Sequence, residues 1–409
     1  CLGLLCGNNE MELGWVGWED VVTHHPALKA DYIKMFEYVI SQEAQINAPD
    51  VFYWPSSPSS GGSFDDPNAE NRGDVHYWDV WHRMKPFTDY EKFYFRFCSE
   101  FGFESFPGRK TIETFTEPSD RNIFSPVMES HQKNGAANGL IMFYISSYYR
   151  YPKDFDSLLY ISQLLQAEAM RHGVEHWRRN RGRCMGAIYW QLNDCWPVAS
   201  WASIDYFGRW KALHYYARRF FSPRMVTAKA EDAKLRMWVH NDSRTALEGT
   251  VEVELRDTAY GLLAHMEVPV QVPPLSVTEL DPVDFMQELA ERGQDTVFVA
   301  YRLCEKNNTG AYASTLFCRP KQMELPRPNY TVHVLDCGNV FDIYVKSDCY
   351  AHQVEIETNL TDRPFSDNYF SLCTPQGVHV ALEKDSVAPG VTAEQLRESL
   401  QVRSVADTF

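Results

Sequence analysis

The chain has 409 residues, 44% of them hydrophobic, and a formal net charge of −16. That length allows two to four domains with sizeable cores, and the acidic balance argues against a nucleic-acid partner, because phosphate binding needs a basic surface. No apolar run approaches the roughly 20 residues of a membrane span.

Residues 1–222 alternate strand-like and helix-like segments. Apolar or aromatic runs end in polar clusters at 2–10, 51–58, 75–82, 94–102 and 185–194, and GLIMFYISS (139–147) is a further strand candidate. Between them, 27–44 and 156–180 carry apolar residues at three- and four-residue spacing, the helical period. Strands alternating with helices imply βα units and a parallel sheet. In a (β/α)8 barrel the catalytic groups sit at the C-terminal strand ends, where each of these runs carries its polar cluster. Five or six strands fall short of eight, so the expectation is that the chain begins part-way round a barrel. The remaining N-terminal half would lie in the same longer polypeptide or in a partner chain.

After Phe221-Ser222-Pro223 the pattern becomes alternating strands separated by turn residues, as in an antiparallel sandwich. A Pro-rich connector, LPRPN (325–329), leads to a second β-rich unit. The predicted domains are therefore 1–222, the C-terminal part of a (β/α)8 TIM barrel (about strands 4 to 8), followed by two immunoglobulin-like β-sandwich domains at 223–324 and 325–409.

Aromatic residues make up 14% of the chain, which suits either large cores or a cleft where sugar faces stack on rings. The ten cysteines form no CxxC pair and no zinc-spaced cluster with histidine. Cys6, Cys98 and Cys184 lie in apolar runs, where a thiol is a small buried hydrophobe. A reducing compartment is expected, hence a cytoplasmic location, or a lysosomal or secreted one for a eukaryotic source. N-x-S/T sequons at Asn241, Asn307, Asn329 and Asn359 decide little, because so short a pattern arises by chance.

The chemistry concentrates on two glutamates at strand ends. Glu10 follows Asn8-Asn9, and Glu100 lies between Phe97 and Phe101 with Gly102 to relax the turn. Two carboxylates facing each other across a barrel mouth are what glycoside hydrolysis needs: one ionised as nucleophile, the other protonated because burial and its partner's charge favour the neutral form. A strand-end glutamate can equally cap a helix or form an ion pair; the pair, with tryptophan-rich strand ends around it, carries the catalytic reading.

"CGNNE" (6–10), "YWPSSP" (53–58), "GDVHYWDVWH" (73–82), "SEFGFESFP" (99–107) and the 186–221 stretch beginning "GAIYWQLNDCW", taken in this order, resemble the β-mannosidase branch of glycoside hydrolase family 2, and "SDNYFSL" (366–372) resembles its last sandwich. The resemblance implies that Glu10 is the acid/base, Glu100 the nucleophile, and Asn9 a ligand of the sugar 2-hydroxyl. Trp190 is a candidate floor for the terminal sugar, and Trp18, Trp78 and Trp81 are candidate walls. His76, Tyr77 and His82 are candidates for bonding hydroxyls or steering Glu100, and Asp194 for reaching the sugar or capping a turn. Two positions depart from the pattern: Leu5 stands where tryptophan is usual and Glu104 where glutamine is usual. An inward Glu104 would perturb nearby carboxylates; the expectation is that it points outward.

The implied function is exo-acting, retaining removal of terminal non-reducing β-D-mannose, with a β-mannoside oligosaccharide or glycoconjugate as substrate, no cofactor, no metal, and neither nucleic acid nor membrane as partner. Another family 2 activity (β-glucuronidase or exo-β-glucosaminidase), or a non-catalytic sugar-binding or inert fragment, stays open. His24-His25 reads as a solvated turn, and the polar stretch 56–74 as either a disordered loop or a rim of the site.

Overall fold

The computed structural model describes residues 2–18, 25–306 and 308–409, so the readings made for His24 and for the Asn307 sequon fall outside the described residues. The chain packs into two compact units, one comprising residues up to Gly102 together with His172–Trp190, the other Phe103–Arg171 with Gln191–Phe409.

In the first unit, β1 (Leu4–Cys6) lies parallel to β2 (Phe52–Trp54), and β3 (Val75–Tyr77) parallel to β4 (Cys98–Phe101). The predicted strand at 185–194 runs parallel beside β4 through single bonds. Cys98 N–H donates to Gly186 O (3.0 Å), Ile188 N–H to Cys98 O (2.9 Å) and Trp190 N–H to Phe101 O (2.8 Å). Gly186 allows this approach, since a Cβ there would stand 2.2 Å from the Phe97 ring. Helical segments fall between the strands, at Met11–Gly17, through 26–47 (with a π-helical stretch at Ile33–Val39) and at Asp79–His82. Helix Phe155–Arg179 is the connection between β4 and the 185–190 run. This parallel βα order is part of a (β/α)8 barrel. Its core is aromatic: Phe101 meets Tyr90 and Trp177 edge-on at 5.8 and 4.9 Å between ring centroids.

In the second unit, 139–147 is not a strand. Ala137–Tyr148 is an α-helix whose buried residues Ala137, Asn138, Ile141, Tyr144 and Ile145 recur on one face. A short apolar run fits a buried strand and a buried helix equally well until its flanks are known, and here Ala136 and Tyr149 bound twelve helical residues.

Two sandwiches follow. The first pairs β5 (Arg224–Glu231), β6 (Lys234–Asn241), β9 (Ser276–Glu279) and β10 (Val283–Asp284) in one sheet. Its second sheet holds β7 (Leu247–Asp257), β8 (Leu262–Val272), β11 (Val297–Glu305), β12 (Asn308–Thr309) and β13 (Ala313–Leu316). Alternate residues Leu235, Met237, Val239 and Val251, Val253, Leu255 face inward into one core, as the two-residue strand period requires. The last sandwich has sheets β14-β15-β18 (Tyr330–Asp336, Val340–Ser347, Val378–Glu383) and β17-β16-β19 (Phe370–Leu372, Ala351–Glu357, Gln401–Arg403). Phe341, Ile343 and Val345 alternate into its core.

Candidate active site

β1 delivers its polar cluster to the strand end by pairing onward past Cys6. Gly7 N–H donates to Trp54 O (2.9 Å), Ser57 N–H to Asn8 O (3.0 Å) and Glu10 N–H to Ser57 O (2.7 Å). Asn8 fixes the turn from inside: its amide donates to Pro55 O (3.0 Å) and Tyr32 Oη (3.2 Å), and its carbonyl accepts from Ser56 Oγ (2.8 Å) and Met11 N–H (3.2 Å). Held this way, Glu10 adopts a left-handed backbone, φ 58° and ψ 9°, which costs an L-residue roughly 1–2 kcal/mol.

β3 and β4 bring the other half. The Glu10 Oε1 to His76 Nδ1 distance is 2.7 Å, and Glu100 Oε1 stands 3.7 Å from the same nitrogen. Donor atoms of the three side chains lie within 4.8 Å of one another. Because the 2.7 Å contact is a hydrogen-bond length, the cluster reads as a proton-sharing group. Trp78 Nε1–H donates to Glu100 Oε1 (3.2 Å). Gly102 gives the indole its place, since a Cβ there would stand 2.8 Å from the Trp78 ring and 2.5 Å from Trp190 O.

Burial raises the pKa of Glu100; the neighbouring His76 opposes this, Glu10 adds to it, and the Trp78 hydrogen bond works against it. The pattern expected for this site placed the raised group at the acid/base; the resolved rise falls on the predicted nucleophile. Desolvation lowers the pKa of His82, with the Glu10 carboxylate pulling the other way.

The remaining predicted residues separate. Asn9 is exposed and pairs through its backbone with Ser57. Trp190 ends its run 43% exposed, and Trp18 is 44% exposed with its ring over Gly14. No described contact ties Trp18 to the carboxylates. Tyr77 and Trp81, predicted as binding groups, are in the core instead. Tyr77 Oη donates to Asp89 Oδ2 (2.5 Å) while its ring packs on Tyr90, Phe93 and Phe95, and Trp81 is fully buried. Strand alternation is the reason: if His76 faces the carboxylates, Tyr77 must face away.

Asp194 belongs to the second unit, where burial raises its pKa and the buried Lys211 ammonium opposes the rise. Glu104, expected to point outward, is fully buried in that same unit. Its carboxylate accepts from Gln132 Nε2 (2.7 Å) and Asn134 Nδ2 (3.1 Å), and desolvation pushes its pKa up to about 7. Lys211 donates to Ser200 O (3.2 Å) and Ser105 O (3.4 Å), and burial pushes its pKa down to about 8.

Residues 56–74 are tied to the strand ends by hydrogen bonds, Asn68 to the His76 backbone among them, and supply what sequence reasoning missed. Ser57 Oγ lies 3.0 Å from His76 Nε2 and 2.6 Å from Asp74 Oδ2. Glu12, fully buried, accepts from Tyr32 Oη (3.0 Å) and Ser59 Oγ (2.8 Å), and burial raises its pKa. The serine-rich stretch immediately after an aromatic strand was the available signal.

Comparison with known proteins adds three findings. Residues 233–322 match the model of a mannosidase Ig/CBM-like domain, and residues 325–408 that of an Ig-fold domain. Beta-mannosidase B of Aspergillus fumigatus is 34% identical over 277 residues, covering 62% of this chain and 32% of the relative. Its Aspergillus terreus counterpart is 34% identical over 290 residues, covering 64% and 34%. The matched region is thus about a third of the length of these curated relatives. The crystal structure of a β-D-mannosidase from Dictyoglomus thermophilum superposes with a TM-score of 0.85 at 26% identity, covering 98% of this chain and 48% of that one. An exo-chitosanase from Amycolatopsis orientalis shares the fold at 14% identity, TM-score 0.67, covering 90% of this chain and 48% of that one. In sequence and in fold alike, the chain is similar to β-mannosidases.

Proposed function

We propose that the full-length protein is an exo-acting, retaining β-mannosidase, with Glu100 as nucleophile and Glu10 as acid/base. The observation that supports this most is the placement of Glu10 and Glu100 at the ends of parallel strands, their donor atoms within 4.8 Å and one imidazole between them. Carboxyl groups about 5–5.5 Å apart suit a covalent glycosyl-enzyme intermediate; inversion needs about 6.5–9.5 Å to admit a water. Glu100 attacks the anomeric carbon while Glu10 gives its proton to the departing oxygen. Glu10 then takes a proton from water, whose oxygen displaces Glu100 from the sugar. Trp78 holds the nucleophile by its N–H, and its ring, with Trp190, offers a wall for a pyranose face. Asn9 is read as the ligand of the 2-hydroxyl, where hydrogen bonds strengthen in the oxocarbenium-like transition state.

The rest of the barrel is proposed to cover β1 and the 26–47 helical segment, where Leu4, Met35, Tyr38, Val39 and Ile46 are large apolar side chains left exposed. The described cysteines carry free thiols, which favours a reducing compartment.

The test is hydrolysis of aryl β-mannoside, β-glucuronide and β-glucosaminide by the full-length polypeptide and by Glu100→Gln. Mannoside turnover that falls by more than ~10⁴-fold in the variant is expected. Preference for another glycoside, or a variant keeping most of its turnover, overturns the reading.

A further inference from the structure

Behind the His76–Glu10 contact lies a chain of hydrogen bonds whose direction can be worked out from its lengths. Asp74 is an acceptor on both oxygens. Trp54 Nε1–H (2.9 Å) and Ser59 N–H (3.0 Å) point at Oδ1, while the hydroxyls of Ser57 and Ser99 each stand 2.6 Å from Oδ2. An oxygen–oxygen contact that short must hold a hydrogen. A serine has one hydroxyl hydrogen, so that of Ser57 is committed to Asp74. Its 3.0 Å contact with His76 Nε2 then requires the imidazole to be the donor. His76 carries its hydrogen on Nε2, and any proton in the 2.7 Å contact between Nδ1 and Glu10 Oε1 is additional and shared.

We propose that Asp74 and Ser57 are positioning residues that lock His76 in its Nε2–H tautomer, so that the shared proton is held for delivery by the Glu10 carboxyl. The inference rests on Glu10 being the acid/base. With Nδ1 presenting a lone pair, a protonated Glu10 donates a hydrogen bond to it, whereas an ionised Glu10 would meet lone pair against lone pair at hydrogen-bond distance. The opposite tautomer would donate Nδ1–H to the carboxylate and favour its ionised form. In the first step the Glu10 O–H bond breaks and its proton goes to the glycosidic oxygen as the C–O bond cleaves. In the second, a proton from the attacking water returns to Glu10 while the water oxygen bonds to the anomeric carbon and Glu100 leaves. The unfavourable lone-pair contact in between drives Glu10 to recover its proton.

Other titratable groups face this set without entering it. Glu100 stands 3.7 Å from His76 Nδ1. His82 senses Glu10, Cys98 senses Glu100 and Asp74, and Cys6 and Glu12 sense Asp74. The Ser57 hydroxyl meets Asp74, His76 and Ser99 and none of these groups, and the bonds of Ser57 to Asn8 and Glu10 are made by its backbone.

The experiment is the pH profile of kcat/KM for aryl β-mannoside hydrolysis by the full-length polypeptide, compared with Ser57→Ala and Ser57→Thr. In Ser57→Ala the Nδ1–H tautomer becomes available, so the alkaline limb moves to lower pH by about one unit, a ~10-fold loss on that limb. The acid limb, set by Glu100, stays in place. Ser57→Thr keeps a hydroxyl and restores the wild-type limb. A purely structural role for Ser57 would lower the whole profile without moving the limb, and that outcome, or an unmoved limb at full activity, overturns the inference alone. A wild type without any glycosidase activity overturns the functional reading and this inference with it.

Discussion

Two desolvated carboxylate groups in this chain invite the same interpretation and have different chemistry. Glu100 and Glu10 keep side chains 13% and 15% exposed, share one imidazole, and lie at strand ends with an indole N–H on Glu100. Glu104 is wholly buried under two amides, with the Lys211 ammonium opposing the rise in its pKa, and it has the larger rise, to about 7. A perturbed carboxyl is therefore a poor marker of catalysis on its own. Partial exposure, a second carboxylate within 4.8 Å and an imidazole shared by both separate the first group from the second.

The comparison can be attacked from either side. After the loss expected for Glu100→Gln, the next largest effect is at Glu10. Glu10→Gln should lower kcat/KM by about 10²–10⁴-fold on substrates with poor leaving groups and far less on a dinitrophenyl mannoside, whose departure needs no proton. Equal losses on both would remove Glu10 from the acid role. The acid limb of the wild-type profile should lie above the ordinary carboxylate range, because burial raises Glu100 and the nucleophile is lost as pH falls through its pKa. A limb near pH 4 would contradict that.

In the second group the readout is stability. Glu104 holds its proton more tightly folded, at about 7, than at its ordinary 4.5. Its favourable contribution is complete below about pH 4.5 and is lost as pH rises to about 7, a change of about 3 kcal/mol before any compensation by Lys211. Denaturant unfolding at pH 5 and pH 7 should show about 2 kcal/mol of that loss in the wild type and a flatter dependence in Glu104→Gln; an unchanged slope would show that Glu104 is not the group responsible. The smallest effect is expected at Asn8. Asn8→Ala removes side-chain bonds to both neighbouring turns and should cost about 1 kcal/mol, together with a few-fold drop in kcat as Glu10 loses its support. A stability loss with kcat untouched would make Asn8 structural only.

How far the sequence carried the site follows from which signals are local. Glu10, Glu100, His76 and Trp78 were visible because each ends or follows an apolar run, and a parallel barrel collects such ends. Tyr77 was misplaced because aromatic character was weighed ahead of strand alternation, and Trp81 because the short helix Asp79–His82 that buries it was not read from the sequence. Glu104 was misplaced because nothing near it in sequence announces Gln132, Asn134 and Lys211. Ser57 and Asp74 were invisible as a pair, since a polar Gly/Ser stretch does not announce which of its hydroxyls will meet a histidine. The sandwiches were more legible, because alternation over seven to eleven residues states both the strand and its inward face.

The left-handed backbone of Glu10 has a consequence for how such a chain changes over generations. Glycine adopts that conformation without the Cβ penalty, so Glu10→Gly is expected to unfold at a higher temperature than the wild type while losing the acid/base. If its melting temperature instead fell, the site would be less strained than its dihedral suggests. At this position the drift toward stability and the drift toward inactivity point the same way. On the role proposed for Glu10, selection on turnover is what would keep a glutamate there.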